Sequence, residues 1–354
     1  MQLDSHKTYA TLDASDIRFG IEHLPEQIRI AWEETRDLEF PTNFSKASNV
    51  VVMGMGGSAL GPHMLLAAFF DRWKVPFTIV NDYHLPGWAN EKTIVILSSF
   101  SGTTEEILAA GEAAEDRESM IIAICAGGEL AKRAKKRGWG LYQFDPGDLA
   151  KQPRLGTGFS IAGVMGILER AKLVRATTAE IDRMRIAMGE VIDSCAVDVR
   201  ARENPAKTVA KSLDGCNILI IAAEHLVGTA HVFANSINET AKQFATYFAL
   251  PELNHHLLEG LTYPKTFAPK TVAFLVQSSL YHARTQKRIT ITADMLEKQG
   301  IAVVDYVTNG SEKLEEVGEV LQFASFVSYY LAMLNGVKPD EIPFVDAFKE
   351  AMGK

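Results

Sequence analysis

Cysteine is scarce in this chain of 354 residues, which has three of them, Cys125, Cys195 and Cys216. A disulfide framework needs paired cysteines, and a cysteine-based metal site needs closely spaced ones. An excess of positive charge is also missing, because the formal net charge is −8. Non-specific binding of nucleic acid requires a strong basic field. The sequence therefore predicts neither a disulfide scaffold nor a partner made of nucleic acid.

Long apolar runs are missing as well. The apolar stretches have the length of a strand or are interrupted by charged residues, so we expect no membrane-spanning segment. The first twenty residues are polar and acidic, unlike a signal peptide. These absences together predict a cytoplasmic protein that does not associate with a membrane.

What the sequence does contain is a regular alternation of short β-branched runs and helical patterns. This alternation predicts an α/β fold with parallel sheets and helices on both faces. The length is more than twice the roughly 150 residues typical of one domain, so we predict two domains, 1–180 and 181–354, with a charged helical segment at 177–202 as the boundary. Strands are predicted at 49–55, 77–81, 93–98, 119–125, 140–144, 217–222, 271–277 and 301–307. Helices are predicted at 63–72, 104–116, 130–137, 158–173, 229–248, 279–299, 313–334 and 344–352.

A glycine-rich turn follows the first predicted strand, where Gly54, Gly56 and Gly57 precede Ser58 and a helical pattern. Glycines let the backbone turn tightly and approach a ligand, and the free amides at a helix N-terminus attract an anion. The G-x-G-x-x-A spacing also resembles a dinucleotide fingerprint, for which Asp82 would be the ribose-binding acid. This motif alone leaves a nucleotide, a sugar phosphate and a plain turn open.

A second turn, after the strand at 93–98, is rich in hydroxyl groups. Five of them surround a glycine: Ser98, Ser99, Ser101, Thr103 and Thr104. A helix N-cap needs one hydroxyl, so the surplus indicates a phosphate monoester held by hydroxyls and amides. Open α/β sheets bind ligands at the carboxyl ends of their strands, where both turns would lie. A Walker-type G-x-x-x-x-G-K-[ST] loop is absent from the sequence.

The two turns together resemble the sugar isomerase (SIS) domain. Further segments narrow the resemblance to the bifunctional phosphoglucose/phosphomannose isomerases, which have two SIS domains: 152–156 (QPRLG), 238–242 (NETAK), 251–255 (PELNH) and 347–349 (AFK). The resemblance runs from about residue 40 to the end of the chain. It implies two SIS-type domains, each a flavodoxin-like αβα sandwich around a parallel sheet, and an enzyme with neither a metal ion nor a redox cofactor.

By their positions in the family's motifs, four residues would be catalytic: Glu239, His255, Arg154 and Lys349. Aldose–ketose isomerisation moves a proton between C2 and C1 of the opened sugar, and one carboxylate can act first as base and then as acid. The resemblance assigns this proton transfer to Glu239 and stabilisation of the enediolate charge to Arg154. It assigns ring opening to His255, helped by Lys349. In the family this histidine comes from a second subunit, which implies a homodimer with shared active sites.

The same motifs imply a phosphate cradle made of Gly56, Gly57, Ser58, Ser99, Ser101 and Thr104. Three positions depart from the family's pattern. Thr103 replaces a common asparagine, and residues 324–328 (ASFVS) replace Gly-Asp-Tyr-Val-Ser. Residues 338–343 (KPDEIP) replace Asp-Pro-Thr-Pro-Val, whose threonine is associated with acceptance of mannose 6-phosphate. The expected reaction is therefore the interconversion of glucose 6-phosphate and fructose 6-phosphate, and mannose 6-phosphate is an open second substrate.

Three other functions account for part of the pattern. A non-catalytic sugar-phosphate sensor would keep the cradle and lack some of the four catalytic residues. A NAD-dependent oxidoreductase would use the glycine turn but leaves the serine-rich turn unexplained. An isomerase of another phosphosugar, such as an amino sugar, would differ in the shape of its pocket. For Glu239 itself, the structural alternative is a helix-face ion pair with Lys242 three residues later.

Overall fold

The computed structural model describes residues 2–41 and 43–353, which contain two parallel sheets. The first has five strands in the order β2-β1-β3-β4-β5: β1 (Asn49–Gly54), β2 (Phe77–Val80), β3 (Thr93–Ser98), β4 (Met120–Cys125) and β5 (Gly140–Gln143). The second has four in the order β7-β6-β8-β9: β6 (Asn217–Ala223), β7 (Ala245–Leu250), β8 (Thr271–Gln277) and β9 (Ala302–Val307). The first order is that of flavodoxin-like folds. The predicted fold class is confirmed.

Helices cover both sheets. The first half contains α1 (His6–Leu12), α2 (Ile17–Glu22), α3 (Leu24–Arg36), α4 (Gly57–Ala68), α5 (Glu105–Asp116), α6 (Gly128–Arg137) and α7 (Thr157–Arg170). The second half contains α8 (Thr178–Cys195), α9 (Pro205–Leu213), α10 (Val227–Ser236), α11 (Leu257–Gly260), α12 (Ala283–Lys298), α13 (Lys313–Asn335) and α14 (Pro343–Ala351). Helix α8 begins with a capping box, in which Thr177 and Glu180 satisfy each other's backbone amides.

The first sheet has a buried core on each face because side chains alternate along a strand. Val51 and Met53 of β1 face a core shared with α5 and α6. Val50 and Val52 face the opposite core, which continues without interruption into the second half of the chain. Helices α4 and α10 are in contact within this second core, and it is their contact that brings residues of the two halves together at the site.

Helix α13 is the one helix in the described part of the chain that is long and apolar enough to cross a membrane by length and composition. However, 89% of its most apolar window is buried inside the protein, where it packs on α8, α9 and α10. The prediction that every apolar stretch would be too short or too charged for such a span is wrong for this helix. Burial among other helices identifies α13 as a core element.

All eight predicted strands are confirmed, with ends that differ by at most one residue. The predicted helix at 229–248 is wrong at its C-terminal end, where α10 stops at Ser236 and a π-helical turn covers Ile237–Ala241. Lys242 then takes a left-handed conformation, with φ of 54°, and β7 follows. Glycine or asparagine normally marks such a stop. A lysine gives no such signal, so the apolar run reads as one continuous helix.

The division into domains 1–180 and 181–354 stays a prediction. The first sheet lies within the first range and the second sheet within the second, while α8 begins at Thr178, close to the predicted boundary. The outer ends of these ranges, Met1 and Lys354, lie outside the described residues.

Candidate active site

The glycine-rich turn joins β1 to α4 at the carboxyl edge of the first sheet. Gly56 has φ of 50° and caps the N-terminus of α4, a conformation that glycine adopts readily. Ser58 ties this turn to its neighbour, because its Oγ accepts a hydrogen bond from the amide of Phe100 at 3.0 Å. Its carbonyl accepts a second bond, from Ser98 Oγ at 2.8 Å. The N-terminus of α4 is therefore presented beside the serine-rich turn, with the Ser58 and Ala59 amides bonded to the carbonyls of Met55 and Gly56.

The serine-rich turn is held by its own hydroxyls. Ser99 Oγ pairs with Thr104 Oγ1 at 2.8 Å and accepts the amide of Gly102 at 3.1 Å. Ser101 Oγ pairs with Thr103 Oγ1 at 2.9 Å. Ser99 is buried, and Ser101 is exposed. The structure thus brings all the predicted cradle residues to two adjacent turns, where Ser99 shapes the backbone and Ser101 faces solvent.

Gly57 links the cradle to the predicted catalytic arginine. Arg154 lies in a 3₁₀ turn, Pro153–Leu155, that packs against the start of α4. A Cβ on Gly57 would lie 3.0 Å from the Pro153 carbonyl oxygen and 3.2 Å from Arg154 Cα. The absence of a side chain at Gly57 is what lets the two segments approach this closely.

The Arg154 side chain is almost buried, with 7% exposed, and its terminal nitrogens face two backbone carbonyls and one carboxylate. Nη2 donates to the carbonyls of Pro339 at 2.6 Å and Asp340 at 2.9 Å. Nη1 lies 3.9 Å from Glu239 Oε2. Burial lowers the pKa of Arg154, against the opposing effect of Glu239, but a guanidinium remains charged in proteins. The result is a fixed positive charge beside the predicted base.

Glu239 lies in the π-helical turn that follows α10, and its side chain is 35% exposed. Desolvation by burial raises its pKa above the ordinary value, although the nearby charges of Arg154, Lys349 and Lys242 act to lower it. A carboxyl group whose pKa moves toward neutrality is suited to exchange protons as both base and acid. π-Helical turns within helices occur frequently at functional sites.

Two side chains that flank Glu239 hold its turn in place. The Asn238 amide donates to the Ala245 carbonyl at 2.8 Å and accepts the Ala245 amide at 3.0 Å, which fastens the turn to β7. Lys242 Nζ donates to the carbonyls of Thr240 at 3.1 Å and Lys338 at 2.6 Å. Sequence reasoning considered Lys242 only as an ion-pair partner of Glu239 and missed these contacts, which depend on the left-handed backbone at Lys242.

Lys349 lies on α14, a helix whose residues are all at the surface. Its side chain is half exposed, and Nζ lies 4.0 Å from Asp346 Oδ1. Its charge also lowers the pKa of Glu239, so it is within electrostatic reach of the predicted base. The structure therefore places Lys349 at the border of the cluster.

His255 is not brought to this cluster by a single chain. It ends the 3₁₀ turn Glu252–His255 after β7 and is exposed. The preceding Asn254 fastens this turn to α12, through bonds with Thr292 Oγ1 at 2.8 Å and Arg288 Nη1 at 3.3 Å. Within residues 2–41 and 43–353, no described hydrogen bond or ion pair connects His255 to Glu239 or Arg154.

The donor set around Glu239 does not suit a metal ion. Its charged neighbours are Arg154, Lys242 and Lys349, which repel a cation. Divalent cations need several oxygen, nitrogen or sulfur ligands. In the described part of the chain, no group of three histidine, cysteine or acidic side chains could hold one.

Two parallel sheets, a phosphate-type cradle and an adjoining glutamate–arginine pair define a two-domain protein of the SIS class. The profile of the bacterial phospho-glucose isomerase C-terminal SIS domain matches residues 202–352. A bifunctional phosphoglucose/phosphomannose isomerase of Caldicellulosiruptor bescii is 28% identical over 95% of this chain and 98% of its own. One from Aquifex aeolicus is 27% identical over 86% of this chain and 90% of its own. The chain is therefore similar to bifunctional phosphoglucose/phosphomannose isomerases over most of its length, and its C-terminal part matches a SIS-domain model.

A solved structure supports the fold independently. A hypothetical protein of Thermus thermophilus superposes with a TM-score of 0.76 over 98% of this chain and 93% of its own. Its sequence is 16% identical, so this likeness concerns the fold alone.

Proposed function

We propose that this protein interconverts glucose 6-phosphate and fructose 6-phosphate by proton transfer between C1 and C2, without a metal ion. The observation that carries the proposal is the approach of Glu239 Oε2 to within 3.9 Å of the buried guanidinium of Arg154, beside the two phosphate-type turns. A base next to a fixed positive charge is what formation of an enediolate requires. The names of the family's curated members support the same reaction.

The phosphate group would bind where the two turns meet. Amides at the N-terminus of α4 and the exposed hydroxyl of Ser101 supply donors without a cationic side chain. Because Gly57 touches the backbone of Arg154, a sugar anchored at this point extends toward the glutamate–arginine pair. The cradle thus fixes the distance between the phosphate and the reacting carbons, which lowers the entropic cost of the reaction.

In the proposed reaction, the Glu239 carboxylate removes the proton from C2 of the open-chain aldose. The electron pair of that C–H bond forms the C1–C2 double bond of the enediolate, and the negative charge on oxygen faces Arg154. The hydroxyl proton on O2 then moves to O1, and protonated Glu239 returns its proton to C1 as the C2 carbonyl forms, which gives the ketose. A positioned base contributes about 10²–10⁴-fold in rate, and the loss of one donor to a developing oxyanion costs about 10²–10³-fold.

Ring opening is the step for which one chain is incomplete. His255 is exposed and its turn is fastened to α12, while Lys349 is close enough to act on the Glu239 pKa. We therefore propose a homodimer in which His255 of each chain completes the site of the other. Exposed aromatic side chains on α14 support an interface there, with 90% of Phe344 and 66% of Phe348 accessible.

Mixed dimers test this arrangement. Glu239→Gln and His255→Ala homodimers should each be impaired. A mixture of the two, dissociated and reassembled, should regain activity, because one of the two sites in a mixed dimer then has both native residues. Failure of a verified mixed dimer to exceed the activity of its parents would show that His255 does not act across an interface.

The remaining alternatives make different predictions. A sensor would bind sugar phosphates without turnover. A NAD-dependent oxidoreductase needs an acid for the ribose, but the Asp82 carboxylate is exposed and accepts the amides of Tyr83 at 2.5 Å and His84 at 3.2 Å.

A cytoplasmic location remains part of the proposal, as the compartment in which sugar phosphates are metabolised.

A coupled assay with fructose 6-phosphate tests the function directly, with glucose 6-phosphate and mannose 6-phosphate read separately. Formation of glucose 6-phosphate supports the proposed reaction. Formation of both products identifies a dual isomerase in which the threonine missing from 338–343 is dispensable. If a folded dimer forms neither product, the proposal is wrong, and a different phosphosugar or the sensor takes its place.

A further inference from the structure

The connection between α13 and α14, residues 336–342, receives hydrogen bonds from both halves of the site. Arg154 Nη2 donates to the carbonyls of Pro339 and Asp340, and Lys242 Nζ donates to the carbonyl of Lys338. Immediately before the connection, Asn335 Nδ2 donates to the Ala241 carbonyl at 2.9 Å. Three successive carbonyls of the connection therefore hold two cations that come from separate parts of the chain.

Lys242 occupies a backbone conformation that does not favour lysine. Its φ of 54° is in the left-handed region, which glycine and asparagine adopt at lower cost. The benefit of a lysine at this position must therefore come from its side chain. Nζ folds back on the Thr240 carbonyl, 3.1 Å away, and reaches the Lys338 carbonyl, 2.6 Å away. The ammonium thus cross-links the π-helical turn to the connection.

We propose that Lys242 is a positioning residue that clamps the turn carrying Glu239 to the same connection that holds Arg154. This inference rests on the proposed isomerase function and adds a residue to it. Glu239 and Arg154 are 85 positions apart in the sequence, and their side chains meet at 3.9 Å. The clamp bonds the turn that carries Glu239 to the Lys338 carbonyl, which is next to the carbonyls that bind Arg154. Without the clamp, the Glu239 turn loses a direct bond to the connection.

The charge of the Lys242 ammonium should affect the pH dependence of the reaction, because charged groups of the site lie around it. Arg154, Asp340, Glu341 and Glu239 all act on it, and desolvation lowers its pKa to about 8 although the residue as a whole is exposed. In turn, the charge of Lys242 lowers the pKa of Glu239. Removal of this charge should therefore move the acidic limb of the rate profile, which depends on Glu239, to higher pH.

Lys242→Asn tests the clamp without backbone strain, because asparagine tolerates the left-handed conformation but cannot reach the Lys338 carbonyl. Lys242→Arg keeps a charge and donors at the same place. Lys172→Asn is the matched control: Lys172 is an exposed lysine with φ of 62° at the end of α7, and its amide closes that helix end on Glu169. Steady-state rates with fructose 6-phosphate are measured from pH 5 to 9 for all of them.

We expect Lys242→Asn to lower kcat by about 10-fold or more, because a displacement of about 1 Å at a reacting group costs up to about 10²-fold. KM should stay within about 3-fold of wild type, since the phosphate turns are untouched. Among these proteins, only Lys242→Asn should show an acidic limb of the rate profile that lies at higher pH. Lys242→Arg should recover most of kcat and the wild-type acidic limb, and Lys172→Asn should match wild type throughout.

The inference is overturned if wild type and Lys172→Asn are active and Lys242→Asn retains the wild-type kcat and acidic limb. It is also overturned if the loss lies in KM alone, or if Lys242→Arg is as impaired as Lys242→Asn. Should Lys242→Asn fail to fold, Lys242→Gly, which suits the same backbone, carries the same expectations. An inactive wild type would instead refute the proposed function, and the clamp with it.

Discussion

Replacement of Glu239 by glutamine tests two consequences of the structure in one variant. Glutamine keeps the size of the side chain in the π-helical turn but cannot accept a proton. If Glu239 is the base, kcat should fall by about 10²–10⁴-fold, which corresponds to about 2.7–5.4 kcal/mol at about 1.36 kcal/mol per tenfold. KM for fructose 6-phosphate should change little, because the phosphate turns do not contact this side chain through any described hydrogen bond.

The same substitution should increase the stability of the protein at pH 7, although it lowers the activity. Folding raises the pKa of Glu239, with desolvation as the largest cause, so the folded state disfavours the ionised carboxylate. The stability that this group contributes is fully present below the ordinary glutamate pKa of about 4.3. It is lost as the pH rises through the raised pKa of the folded state. Glutamine is uncharged, so Glu239→Gln should unfold at a higher temperature than wild type at pH 7.

Two measurements decide these expectations. The coupled isomerase assay gives kcat and KM, and differential scanning calorimetry at pH 4 and pH 7 gives Tm for both proteins. The advantage of Glu239→Gln in Tm should be present at pH 7 and nearly vanish at pH 4. Activity above about 1% of wild type would refute the role of Glu239 in proton transfer. A variant less stable than wild type at pH 7 but not at pH 4 would show that its ion pair with Arg154 outweighs desolvation.

Three further perturbations have defined outcomes. Arg154→Lys should lower kcat at least about 10²-fold in the coupled assay, because one ammonium cannot hold the Pro339 carbonyl and face the enediolate as a planar fork does; near-normal turnover would make Arg154 structural. Gly57→Ala should raise KM, because its Cβ would lie 3.0 Å from the Pro153 carbonyl oxygen, while Gly189→Ala, with no atom within 4 Å of the new Cβ, should leave KM unchanged. Equal KM values would show that the two segments separate freely. Treatment with EDTA followed by dialysis should leave activity intact, and recovery only on addition of a metal ion would refute a metal-free mechanism.

The sheets and the phosphate turns could be predicted because their signals are local. Eight strands show as short β-branched runs, and each cradle motif lies within a few residues of the strand that carries it. The order β2-β1-β3 then brings the turns after β1 and β3 together, as parallel strands require. Ser58 Oγ, which accepts the Phe100 amide, is the contact that realises this arrangement.

The predicted catalytic cluster could not be derived from local pattern. Without the family resemblance, Glu239 is a glutamate in a helical pattern and Arg154 an arginine in a loop. Their meeting depends on the contact of α4 with α10 and on the end of α10 at a π-helical turn, and neither has a signal in the sequence. The sequence did not reveal the edge strand β7, because its apolar run continues that of α10. The roles of the predicted catalytic residues, His255 above all, stay predictions.

The departure of residues 338–343 from the family's pattern bears on the substrate more than on the mechanism. In this structure the segment serves the site through the carbonyls of Lys338, Pro339 and Asp340, which accept bonds from Lys242 and Arg154. Every residue type supplies a carbonyl, so a change of side chains leaves these bonds available. A threonine hydroxyl, in contrast, belongs to one side chain and is lost on substitution. We therefore expect the backbone bonds that support isomerisation of glucose 6-phosphate to survive the change in this segment, whereas acceptance of mannose 6-phosphate would be lost with the threonine hydroxyl.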